Sequence, residues 1–244
     1  MGFVITELLY QYDSYLKEFT ARIVDIVGGK YIVLDKTAFY PKTSGLENDT
    51  GYIIKGSIRY SVTEVQLEKN SDRVLHGVRE TVADLRINDE VVGVLNWERR
   101  YRMMRLHTAS HIIAAIMYRK HSALITGDNI TPEYAYDDYS LETFDKKIFE
   151  DVIAEANNVV RRGIDVKIYW LNREEAMKIP GIVKLASRMP PTVLRLRIVE
   201  IPGVDIQADG GPHVKNTNKI SEIVFIKAEN KGKNRKRLYF TVKP

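Results

Sequence analysis

Hydrophobic periodicity changes at Asn96, and that change limits the folds open to this chain. Upstream, apolar residues alternate in short runs; from Asn96 to about Lys120 they recur every three to four residues. Between residues 18 and 95, EFTARIVDIVGGKYIVLD sets Gly28 and Gly29 between two β-rich runs, a hairpin signature. GYIIKGSIRYSVTEVQLEKN adds two runs broken by Gly56, and DEVVGVLNW adds another. Short strands closed by Gly and Asx turns predict a small β-barrel within residues 1–95.

From Asn96 the pattern is helical. Asn96 is placed to cap, Glu98 suits the first turn, and the helix should run to about Lys120. Leu106, Ile113 and Met117 make one apolar stripe; Met104, His107, His111, Ala115 and Tyr118 share a neighbouring face. A second helix is expected over 143–162, stopped by Gly163. DVKIYW reads as a strand, Asn172 with Glu175 as a capping box opening a short helix that ends near Pro180, and TVLRLRIVEI as an alternating strand. ISEIVFIK and KRLYFTVK form a closing hairpin. Strands and helices are segregated rather than alternating, which predicts an α+β class with a second domain over 96–244.

Composition removes several function classes. The 244 residues contain no cysteine, so disulfides are excluded and any metal site must use His, Asp or Glu. No run approaches the ~18 apolar residues of a membrane span. The N-terminal MGFVITELLYQYDSYLKEF lacks the cationic start and small-residue cleavage site of a signal peptide, so a cytoplasmic location and no membrane partner are expected. The net charge of +5 only permits a polyanionic partner. Its distribution says more: Arg99, Arg100, Arg102 and Arg105 crowd one end of the helix, and Lys231, Lys233, Arg235, Lys236 and Arg237 crowd the last hairpin. Solvated faces account for both clusters equally well.

Of five histidines, His107 and His111 stand four apart on the predicted helix, where both imidazoles can meet one ion. Alone, HxxxH is weak. The metallopeptidase version needs a Glu beside the first His, and Thr108, Ala109 and Ser110 intervene here. His76 and His121 read as ordinary residues. In DIQADGGPHV, Asp209 and His213 are also four apart, across a Gly-Gly turn able to bring both to one point. Three imidazoles and a carboxylate make a tetrahedral zinc set; a plain surface turn explains DGG as well, and spacing leaves the two readings balanced.

These residues resemble a known family. NWERRYRMMRLHTASHIIAAIMYRK is similar to the ERR…HTxxH helix of the AlaX alanyl-tRNA editing proteins and of the alanyl-tRNA synthetase editing domain, whose later CxxxH turn completes a zinc site. ALITGDNI with YDDYSLE, then WLNREEAMKIP, then PPTVLRLRIVEIPGVDIQADGGPHV resemble its later segments in order. VLDKTAFYPKTSGLENDTG resembles the LDxTxFYPxGGGQxxDxG loop of its barrel. Coverage runs from about residue 20 onward, and length points to the medium type. Departures are local. Asp209 stands where many members have Cys, Pro212 replaces the Thr of GGTH, and Lys219 and Ser221 replace Glu and Gly. Thr43 and Ser44 occupy glycine positions, Leu46 a glutamine position and Tyr136 an arginine position.

The resemblance implies a zinc-dependent, ATP-independent hydrolase, with one zinc per chain, that clears serine and in some members glycine from alanine tRNA. A small pocket rejects an added hydroxyl poorly, so such errors need a second site that rewards that hydroxyl. The implied ligands are His107, His111, Asp209 and His213. Asp209 is either the fourth ligand or a base that accepts the water's proton. Thr126, Thr43, Gln207 and Asp138 are the substrate-binding candidates; for Thr126 the bland alternative is a strand threonine with an inward methyl, and for Asp138 an exposed strand carboxylate. Arg102, Arg105, Lys233 and Arg235 are candidates for RNA phosphates, Arg105 nearest the pocket. The partner is a mischarged alanine tRNA, and the chain a monomer or weak dimer. Two competing readings stand beside this one: a tRNA-binding module whose loops have drifted from catalysis, and a metallohydrolase of small esters or amides.

Overall fold

A computed structural model describes residues 5–182 and 193–244. They fall into two compact units, Met1–Tyr101 and Arg102–Pro244. The first is the β-rich stretch. Its strands are β1 (Glu7–Leu8), β2 (Glu18–Val27), β3 (Tyr31–Leu34), β4 (Lys36–Thr37), β5 (Gly51–Lys55), β6 (Ile58–Leu67), β7 (Val74–Val78) and β8 (Glu90–Leu95). Six of them close into an antiparallel barrel in the order β2-β3-β7-β6-β5-β8, and β1 pairs in parallel with β4 outside it. The β2–β3 turn works because Gly28 and Gly29 both adopt positive φ, +60° and +65°. Alternation along β2 sends Phe19, Ala21 and Ile23 inward onto Ile32, Leu34, Ile53, Val62 and Val91.

One buried ion pair fixes the long loop between β4 and β5. Asp49 and Arg100 are 1% and 0% exposed as side chains. Asp49 Oδ2 accepts from the Tyr40 amide at 2.6 Å, while Arg100 donates to Asp49, to the Ser14 carbonyl at 3.1 Å and to the Ala38 carbonyl at 2.5 Å. A buried pair survives only when its remaining donors and acceptors are met, and here the guanidinium spends them on two loop carbonyls. His76, fully buried in β7, is held by Thr37 Oγ1 at 2.8 Å and the Ile32 carbonyl at 2.9 Å. Burial lowers its pKa to about 4, so it sits neutral in the barrel core.

The helix α1 (Trp97–His121) follows, with Asn96 Oδ1 accepting from the Arg99 amide at 3.2 Å as an N-cap does. After it come β9 (Ile125–Ile130), β10 (Ala135–Tyr139), α2 (Lys146–Arg161), β11 (Lys167–Asn172), α3 (Arg173–Ala176), β12 (Arg195–Ile201), β13 (Asp205–Ala208), β14 (Ile223–Asn230) and β15 (Lys236–Val242). They form two antiparallel sheets, β14-β15-β10-β9 and β11-β12-β13. The fold is α+β with an N-terminal barrel, as the segregated pattern predicts. Residues 108–117 of α1 are all buried, so the helix is enclosed on every side there, while Tyr118 of the second predicted stripe is 41% exposed. α2 starts later than the sequence pattern indicates, because Asp145 caps it by accepting from the Lys147 amide. The expected capping box at Asn172 does not form; Asn172 precedes the single turn of α3 without a side-chain cap bond. Thr192, at the start of the predicted TVLRLRIVEI strand, lies outside the described residues. No helix of the described residues is long and apolar enough to cross a membrane.

Candidate metal centre

α1 and the turn after β13 bring four side chains together: one ligand atom from each of His107, His111, Asp209 and His213 lies within 4.8 Å of every other. Each histidine is oriented from behind. His107 Nδ1 is 3.3 Å from the Pro212 carbonyl, His111 Nδ1 is 3.1 Å from Asp205 Oδ2, and His213 Nδ1 is 3.1 Å from Thr108 Oγ1. The first two partners only accept, so those nitrogens carry the proton. Thr108 donates its own hydroxyl hydrogen to the Met104 carbonyl at 2.9 Å, so it too accepts from His213. All three Nε2 atoms therefore present lone pairs, and all three face Asp209. The distances are 3.5 Å from His107 and 3.9 Å from His111 to Oδ2, and 3.1 Å from His213 to Oδ1. Lone pairs aimed at a carboxylate inside a protein require a cation between them, a proton or a metal. This donor set fits a metal ion, and the group can hold one.

Titration reflects the same crowding. Burial pulls His107 toward its neutral form, but the charge and hydrogen bond of Asp209 prevail and raise its pKa. Burial and then the neighbouring His107 hold His213 well below the usual imidazole range. Burial works to raise the Asp209 carboxyl, yet attraction to His107 and His213 carries it well below the usual carboxylate range.

The turn is built for this approach. A β-carbon on Gly211 would lie 2.6 Å from His107 Cε1, so only glycine lets the ring in. Asp209 Oδ1 accepts the Gly211 amide at 2.7 Å. Arg197 on β12, 4% exposed, donates through Nη1 to the carbonyls of Asp209 and Gly211, both at 2.9 Å. Arg197 and Asp205 escape the sequence reading. Each looks like an ordinary strand charge, and the only available signal is a charged residue within an otherwise apolar run.

Other sequence candidates lie around this centre in different ways. Gln207 is buried and donates to Asp205 Oδ2 at 2.9 Å, so it steadies the carboxylate behind His111. Thr126 is exposed and its hydroxyl donates to the Asp138 carbonyl at 3.3 Å, which goes against the alternative of an inward methyl. Asp138 is no exposed strand carboxylate: it is 2% exposed, and its pairing with Arg237 and Arg235 outweighs burial to lower its pKa. Thr43 belongs to the barrel unit, where its hydroxyl lies 3.1 Å from Tyr40 Oη. Arg105 does not present itself to a polyanion. It is 7% exposed, and its guanidinium donates to the carbonyls of Ile220 and Lys243. Arg102 likewise donates to the Pro132 carbonyl at 2.6 Å and to Thr241 Oγ1 at 3.0 Å. Lys233 and Arg235 are exposed at the β14–β15 turn. Beneath α1, Asp137 is fully buried and receives Ser110 Oγ–H at 3.0 Å and Tyr139 Oη–H at 3.0 Å. Burial and then the charge of Asp128, its cross-strand neighbour, raise it to about 7.

Both units of the chain are met by family models of tRNA synthetases. Residues 11–99 match the family model for class II (A) tRNA synthetases, and residues 196–239 match that for the threonyl and alanyl tRNA synthetase second additional domain. The chain is 57% identical to the alanyl-tRNA editing protein AlaX-M of Saccharolobus solfataricus, covering 98% of this chain and 100% of that one. It is 39% identical to AlaX-M of Methanosarcina mazei, over 98% and 97%. Against an alanine–tRNA ligase of Saccharolobus islandicus it is 35% identical, over 92% of this chain but 25% of the ligase. The chain belongs to the AlaX family of alanyl-tRNA editing proteins.

Proposed function

We propose that the protein is a zinc-dependent aminoacyl-tRNA hydrolase that removes serine, and secondarily glycine, from mischarged alanine tRNA in trans. The observation that carries this is the convergence of three lone-pair-bearing Nε2 atoms on Asp209. His107, His111 and His213 would hold one zinc, with Asp209 as fourth ligand or as the group that takes a proton from water. Bound zinc supplies Lewis acidity toward the ester carbonyl and lowers the pKa of water toward 7.

The remaining work falls to the chain itself. Asp205, Thr108 and the Pro212 carbonyl fix the rings, so little reorganisation accompanies reaction. Pro212 replaces the family's threonine but keeps the carbonyl that orients His107, so this departure spares the centre. Its side chain 20% exposed, Asp209 is the most open of the four, which suits a group that meets water. Thr126 is assigned to the serine hydroxyl, with Asp138 behind it through its carbonyl. Serine is favoured over alanine by the hydrogen bond that its hydroxyl gives Thr126 and that alanine lacks. Residues 96–244 carry the chemistry in this reading, and the barrel of residues 1–95, with Thr43 on its loop, contributes to substrate recognition. Lys233 and Arg235 are assigned to RNA phosphates; Arg105, with its donors on carbonyls, is not.

The test is deacylation of seryl-, glycyl- and alanyl-tRNA(Ala), with and without a chelator. Fast, chelator-sensitive loss of serine with alanine spared is expected. No turnover of any of the three by zinc-loaded protein that still binds tRNA would leave a binding module on an editing fold.

A further inference from the structure

The face of the four-stranded sheet that carries Tyr136 and Tyr239 is organised as an array of held cations. Register places two rows across it. One runs Asn129, Tyr136, Tyr239, Lys227; the other runs Gly127, Asp138, Arg237, Glu229. In the second row, Asp138 accepts Arg237 Nε at 2.7 Å and Nη2 at 2.9 Å, and Arg235 Nε at 3.0 Å. The opposite position is bare, since a β-carbon on Gly127 would meet Asp138 Oδ2 at 3.1 Å. In the first row the rings of Tyr136 and Tyr239 stand 5.7 Å apart, and Tyr134 lies 6.0 Å from Tyr239. The Arg237 guanidinium lies 3.7 Å from the Tyr136 centroid, and Lys227 Nζ lies 4.6 Å from that of Tyr239. Glu229 takes Lys227 at 2.6 Å and Lys231 at 2.7 Å.

We infer that this face, with the turn beyond it, docks the phosphate backbone of RNA, in keeping with the proposed function, on which the identity of the RNA rests. On the face and turn, Lys227, Lys231, Lys233, Arg235 and Arg237 outnumber Asp138 and Glu229, and that imbalance selects a polyanion. The array is spread over four strands and is not a cavity, which suits a repeating backbone better than a small anion. Rings and carboxylates hold the cations from beneath, so less rotamer entropy is lost when phosphates arrive. The lysines stay available, with 54% of the Lys227 side chain exposed. The array includes Asp138 on β10, whose carbonyl accepts the Thr126 hydroxyl at 3.3 Å, so an RNA bound here lies along the sheet that carries the residue assigned to the serine hydroxyl.

The experiment compares the zinc-loaded full chain with its Lys227→Glu/Lys231→Glu variant, both exposed positions away from the metal centre. Uncharged tRNA(Ala) affinity is measured across a salt series. Turnover of a seryl ester on a CCA trinucleotide, too short to span the face, is measured in parallel. The expected result is a loss of affinity of about tenfold or more and a salt slope shallower by about two, with turnover of the trinucleotide ester unchanged. Lys227→Arg/Lys231→Arg should restore binding. A variant that binds tRNA as tightly as the parent, with the same slope, overturns the inference, as does a parent that binds no tRNA. Failure of the parent to hydrolyse the trinucleotide ester and the mischarged tRNA, with the variant still losing affinity, overturns the proposed function and leaves this face standing.

Discussion

Gly211 and His107 approach so closely that a β-carbon on the glycine would lie 2.6 Å from the ring. The sequence shows a Gly-Gly pair that could be any turn; the structure shows that the second glycine is the one the imidazole rests against. Gly211→Ala must displace either the ring or the turn that carries Asp209. Zinc affinity should fall by tenfold or more, with the far-ultraviolet spectrum unchanged. Equal zinc affinity in titration against a competing chelator would show that the ring is not held where the geometry has it.

Asp205 acts on the centre through His111. Its carboxylate lies 3.1 Å from Nδ1, and Gln207 steadies it at 2.9 Å. A partner of this kind commonly governs metal affinity or activity by ~10–100-fold. Asp205→Asn should weaken zinc binding within that range and raise the exchange rate of the His111 ring proton. Gln207→Leu should do the same more weakly. A drop in melting temperature with zinc affinity untouched would make Asp205 a structural residue only.

Arg197 clamps two carbonyls of the ligand turn from beneath. Removing a charged donor from buried acceptors costs about 2–4 kcal/mol when both are left unanswered. Arg197→Met should therefore loosen the turn, weaken zinc binding and lower the melting temperature of the apoprotein. Retained zinc affinity with lowered stability would separate the clamp from the metal.

Much of this architecture is legible in the residues, and the exceptions have physical reasons. The i,i+4 geometry of a helix is local, so His107 and His111 announce themselves. The barrel follows from alternation and from glycines that permit a hairpin. What the sequence conceals is whatever tertiary packing decides. Arg105 and Arg102 sit in an arginine-rich run like polyanion contacts, yet carbonyls from distant segments occupy their donors. Asp138 has the pattern of an outward strand residue and is buried because two arginines from β15 or its turn close over it. Asn172 has the spacing of a capping box, but its helix lasts one turn and the side chain finds no amide to cap.

Two buried groups make the units respond oppositely to acid. His76 in the barrel has a pKa of about 4, below its unfolded value near 6.5. The unfolded barrel binds the extra proton between those values, so stability is full above pH 6.5 and falls by about 3 kcal/mol as pH drops to 4. Asp137 in the second unit has a pKa of about 7, above its unfolded value near 3.8. The folded unit holds the extra proton there, so its stability is full below pH 3.8 and declines by roughly 4 kcal/mol as pH rises through 7. Hydrogen exchange on the zinc-loaded chain at pH 5 and pH 7.5, corrected for intrinsic rates, reads each unit separately. Slower opening of the barrel and faster opening of the α1–β10 region are expected at the higher pH. Asp137→Asn should flatten the second trend and leave the first intact, because an amide on Ser110 and Tyr139 does not titrate. If both units shift in the same direction in the parent, or if the Asn variant retains the parent's slope, Asp137 is not the group that holds the proton.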